Sequence, residues 1–185
     1  MLRFFKHILE IIISPARGWE DVSHDSENPD DICREGLYPF YGLMSLTCFV
    51  KMIYDSDNAT VTGCLEEAIV LFVVFFAMTF LAPIILYPAM TSSGITEKEP
   101  NKKRVATFSI YCMAIMALTQ VIANLTPNSF AIIQLLPAYL LLVIGKANRY
   151  IGVTEPKEAL FLALGAAIII GAPLLLIYVL NYLMV

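Results

Sequence analysis

Apolar residues dominate long uninterrupted stretches of this chain, and the polar residues fall in clusters between them. No Asp, Glu, Lys or Arg occurs from Ala68 to Thr96, from Val105 to Gly145, or from Ala159 to Val185. Each stretch is long enough to fill the hydrocarbon of a bilayer, which takes ~20 helical residues. Turn residues then divide the pattern into about five transmembrane helices, expected near 36–54, 65–90, 105–125, 129–146 and 158–184. The breaks are Asp55-Ser56-Asp57-Asn58 after the first and Thr126-Pro127-Asn128 between the third and fourth. Pro83 and Pro88 fall inside the second, where bundled membrane helices tolerate them.

The opening residues have a different period. Arg3, Lys6, His7 and Glu10 share one helical stripe, against Leu2, Phe5, Leu9, Ile12 and Ile13 on the other. This predicts an amphipathic interfacial helix over residues 1–16, too short to span a bilayer. A signal peptide fits less well, because Lys6, His7 and Glu10 interrupt its apolar core. Residues 17–35 are polar and acidic, and Asn28-Pro29-Asp30 supplies a turn, so a solvated cytoplasmic connector is expected there. The fold class is therefore all-α: a polytopic bundle over residues 36–185, preceded by the interfacial helix and the connector.

Composition supports this. Of the 185 residues, 58% are hydrophobic and 15% charged, whereas soluble domains run nearer ~45–50% and ~25%. The net charge of −4 and the scattered Lys and Arg exclude a nucleic-acid surface. Basic residues sit before the first helix (Arg3, Lys6, Arg17, Arg34), between the second and third (Lys98, Lys102, Lys103, Arg104) and between the fourth and fifth (Lys146, Arg149, Lys157). Only Lys51 lies towards the other side. Positive charge favours cytoplasmic loops, so the N-terminus is expected in the cytoplasm and the C-terminus outside.

Charged and amide side chains near the hydrocarbon are the candidates for function. Lys51, one turn before Asp55, can meet Glu66 or Glu67 at the start of the second helix. Gln120 and Asn124 share a face of the third helix, and Gln134 lies in the fourth. Hydrogen bonds between helices are the plain reading of these amides, and a solute pathway the sharper one. The stretch His24-Asp25-x-Glu27-x-x-Asp30-Asp31 matches no loop with a defined ligand order, so no metal site is expected. Cys33, Cys48, Cys64 and Cys112 lack metal or redox spacing. With no HExxH, GxSxG or P-loop pattern, no enzyme activity and no cofactor are expected.

Pro15, then three residues, Trp19, two residues and Val22, following the apolar Ile12-Ile13, resembles the start of bacterial members of the Yip family of Rab-GTPase-interacting membrane proteins. Val153-Thr154-Glu155-Pro156-Lys157-Glu158-Ala159-Leu160 is similar to that family's entry into its fifth helix. Glu35-Gly36-Leu37-Tyr38-Pro39 stands where eukaryotic relatives carry an aspartate-leucine-tyrosine-glycine-proline segment. The resemblance implies a non-enzymatic scaffold of the bacterial inner membrane, of unassigned role. Its expected partners are the lipid bilayer and a protein or second copy, with Trp19 docked at headgroup depth.

Overall fold

The computed structural model describes residues 1–25, 27–55, 59–127 and 135–184. Among them the chain is all-α, with one isolated bridge, Thr96 to Val153, and no strand. The helices are α1 (Leu2–Ile13), α2 (Pro15–Asp25), α3 (Pro29–Tyr54), α4 (Val61–Ser92), α5 (Lys102–Leu125), α6 (Leu136–Lys146), the short α7 (Asn148–Ile151) and α8 (Glu155–Leu183). Four of them, α3, α4, α5 and α8, are long and apolar enough to cross a membrane. The expected fourth crossing is described only as α6, because residues 128–134 lie outside the described residues.

Caps explain why several helices outrun their apolar cores. Thr60 accepts from the Gly63 amide at 3.1 Å and starts α4 at Val61, and Asn101 accepts from the Lys103 amide at 2.9 Å and starts α5 at Lys102. In α3 the start moves back to Pro29, whose fixed φ suits a first helical position. A π-helical turn over Cys33–Leu37 and a 3-10 segment over Thr47–Val50 interrupt its α geometry.

Helix α5 is the axis of the bundle, with every residue from Thr107 to Ala117 buried. By contrast α4 and α8 present much of their apolar surface outward, including Ile69, Phe76, Phe80, Ile84, Leu175 and Tyr178. A surface this apolar fits lipid better than water.

The N-terminal region departs from the expected layout. Ser14 leaves helical geometry before Pro15, and α1 and α2 fold back on each other as an antiparallel hairpin. They touch so closely that a Cβ on Gly18 would lie 2.5 Å from the Ile11 nitrogen. The inner face of α1 is Phe4, His7, Ile8 and Ile11, all buried against protein, so His7 is not on the exposed polar stripe expected for it. Arg3 and Lys6 are exposed, and so are Leu2, Leu9 and Ile13. Residues 17–35 are not a solvated connector either. Most are helical, and Trp19, Val22, Ile32 and Cys33 enter the core, because the apolar residues of an acidic-looking segment recur at helical spacing.

Candidate functional site

Polar side chains gather at two ends of the bundle. At the first, the Lys51 ammonium sits 2.5 Å from Glu67, joining α3 to α4. Asn124 on α5 is buried, and its amide nitrogen donates to Thr47 Oγ1 at 3.0 Å and to Cys48 Sγ at 3.3 Å. The Tyr54 hydroxyl donates to the Asn124 carbonyl at 2.8 Å. Asn124 Oδ1 has no partner among the described residues. Of the residues singled out from sequence, Lys51, Glu67 and Asn124 thus meet in one assembly of α3, α4 and α5. Glu66 faces outward, Gln120 is half-buried and joins none of these hydrogen bonds, and Gln134 lies outside the described residues.

Trp19 is at the opposite end, enclosed by protein rather than facing outward. It is among the largest fully buried side chains. Its Nε1 donates to the Val143 carbonyl at 3.0 Å, and its ring lies 5.2 Å from that of Tyr150 and 5.5 Å from that of Phe108. An indole with a partner for its N–H is as comfortable in a core as at an interface.

Beside Trp19 lies a cavity of about 210 Å³ between the N-terminal hairpin and the start of α5. His7, only 2% exposed, forms part of its wall. Its Nδ1 is 3.1 Å from Glu10 Oε2 and its Nε2 3.0 Å from Asp25 Oδ2. Glu27 is near enough that one donor atom each from His7, Asp25 and Glu27 falls within 4.8 Å of the others. Lys103, Arg104, Thr107, Tyr111 and Tyr150 contribute to the remaining wall. The Arg104 guanidinium donates to the Tyr150 carbonyl at 3.1 Å. Burial pushes the Tyr150 phenol up from its ordinary value, with the Thr107 hydroxyl and Arg104 pulling against it. Tyr111, 1% exposed, makes no hydrogen bond through its hydroxyl among the described residues.

This cluster is not legible within any one segment. The sequence sets His24 beside Asp25 and Glu27, but His24 is exposed, and the imidazole that reaches Asp25 comes from His7. The hairpin brings it there, pairing Gly18 with Ile11, Asp25 with His7 and Glu27 with Arg3 in antiparallel order. The signal was Pro15 between two helical patterns, followed by Gly18 at a position where a close crossing needs no side chain.

Comparison with protein-family models, curated proteins and solved structures returned no match to this chain.

Proposed function

We propose that this protein is a five-crossing, non-enzymatic scaffold of a bacterial inner membrane, of the Yip type, with its N-terminus in the cytoplasm and its C-terminus outside. The observation that carries the reading is how the two ends of the bundle divide the chain. Thr47, Tyr54 and Asn124 are joined at one end. At the other, Arg104 is bonded to the Tyr150 carbonyl, and the Thr154 amide to the Ile95 carbonyl at 3.0 Å. Asn124 and Tyr150 thus belong to opposite ends of the bundle, which supports counting α6 as part of a fourth crossing.

The same division supports the orientation. Residues 95–104 and 146–157, which hold seven Lys and Arg in the sequence, meet through the Thr96–Val153 bridge, and the N-terminal hairpin packs at this end through Trp19 and Val143. All are the loops that positive charge assigns to the cytoplasm. The partner-binding surface of this reading is the cavity-bearing cytoplasmic end. A reporter fused after Val185 should be active outside and one fused near Lys102 inside. A cytoplasmic C-terminus would overturn the five-crossing topology.

A small transporter is the second reading, and the observation in its favour is the unpartnered Oδ1 of buried Asn124. Solute flux in proteoliposomes that disappears with Asn124→Leu would select it over the scaffold.

A further inference from the structure

We infer that the cavity beside His7 binds one divalent transition-metal ion of the zinc class, held by His7 Nε2 and by carboxylate oxygens of Asp25 and Glu27. The three donor atoms already lie within 4.8 Å of one another. Around zinc each pair would stand roughly 3.3 Å apart, given metal–ligand distances of ~2.0–2.2 Å in a tetrahedral site. His7 Nε2 and Asp25 Oδ2 are already 3.0 Å apart, so the adjustment falls mainly on Glu27. Arg3, the present partner of Glu27, is 3.7 Å away and largely exposed, so it yields easily.

The surroundings of His7 are those of a metal ligand. The ring is fixed in the core, and Glu10 stands at Nδ1, 3.1 Å away. A carboxylate accepting from Nδ1–H fixes the tautomer and leaves the Nε2 lone pair for a metal. Three protein ligands leave the fourth position of a tetrahedral ion open, here towards the cavity.

An independent feature marks that open position. Tyr111 is almost wholly buried, lines the same cavity, and has no hydrogen bond on its hydroxyl among the described residues. Its hydroxyl is not one of the sealed orphan atoms, which among the described residues are Asn124 Oδ1 and Asn148 Oδ1, so it is open to the cavity. A water or anion on the metal would stand in the space this hydroxyl lines and could accept from it. Lys103 and Arg104 on the same cavity wall favour an anion there.

The test is titration of the full-length protein in lipid nanodiscs with Zn²⁺ alone, followed by calorimetry, and with Co²⁺, whose visible absorption reports tetrahedral coordination. The expected result is one equivalent bound, weakened roughly tenfold or more by Asp25→Asn, by Glu27→Gln and by Glu10→Gln. His24→Gln and Glu20→Gln should leave affinity within twofold, as both residues are exposed and outside the cluster. His7→Gln should abolish binding; because His7 is buried, Asp25→Asn carries the test if that variant does not fold. No uptake at 100 µM Zn²⁺, or uptake lost with His24 and kept with Asp25→Asn and Glu27→Gln, would overturn the site. Neither result bears on the number of crossings, which the fusion reporters measure separately.

Discussion

The indole nitrogen of Trp19 and the carbonyl of Val143 are 3.0 Å apart, although 124 positions separate them in the chain. Val143 lies in the last turn of α6, where carbonyls lose their intrahelical partners. The Ala147 amide that would normally bond it turns instead to the Ile144 carbonyl, at 3.0 Å. Trp19 therefore satisfies a helix end as well as filling the core. Trp19→Phe should cost about 1–3 kcal/mol, the usual penalty for orphaning a buried acceptor, and Trp19→Ala about 3–5 kcal/mol through the cavity it leaves. Thermal unfolding in detergent measures both. Equal stability of Trp19→Phe and the parent would show that the carbonyl finds another partner.

The close crossing at Gly18 gives a second prediction. A methyl group there meets Ile11 backbone rather than a side chain that could swing away, so Gly18→Ala should force the hairpin apart. Overpacking of this kind costs about 1–3 kcal/mol. Because the same hairpin holds Asp25 against His7, cleavage by trypsin at Arg3, Lys6 and Arg17 should accelerate in this variant. Unchanged cleavage would mean that the hairpin tolerates the extra volume.

These two positions show how far the sequence was legible. The all-α class and the apolar helices could be read directly, since uninterrupted hydrophobic length is a local property. Element ends were less visible, because Thr60 and Asn101 cap from outside the apolar runs. The burial of His7 and Trp19 was not visible at all. A helix whose outer side carries Arg3 and Lys6 looks surface-bound, and the acidic residues beside Trp19 look solvated, until a hairpin stacks their inner faces on α5. Lys51 and Glu67 were found because opposite charges near one membrane face have few other partners.

That ion pair is the subject of the third prediction. Lys51 and Glu67 are each about three-quarters buried at 2.5 Å, so removing one partner strands the other in a poorly hydrated place. Lys51→Met should destabilise the protein by about 1–3 kcal/mol, below the ~3–5 kcal/mol of a fully buried pair because water still reaches both groups. Lys51→Met combined with Glu67→Gln should recover part of the loss, and a double-mutant cycle on unfolding midpoints reads that coupling. Strictly additive effects would reduce the contact to a surface pair of no consequence.

The last prediction concerns α1, which has two apolar sides with different neighbours. Phe4, Ile8 and Ile11 are buried against protein, whereas Leu2, Leu9 and Ile13 are exposed, and Arg3 and Lys6 occupy the strip beside them. An amphipathic helix in the headgroup region buries its apolar residues ~5–10 Å into the acyl boundary and keeps its charges in water. On this arrangement the outer apolar residues should face lipid. Nitroxide labels at positions 9 and 13 in nanodiscs should collide more with oxygen, which concentrates in hydrocarbon, than with a water-soluble nickel chelate. Labels at positions 3 and 6 should show the reverse. Leu9→Asp should then shift the neighbouring label towards water and leave the melting temperature in detergent nearly unchanged. Ile8→Asp places a charge among buried side chains and should unfold the hairpin or lower the melting temperature strongly. Preferential quenching by the nickel chelate at both 9 and 13 would mean that α1 stands clear of the bilayer, held to the protein by its inner face alone.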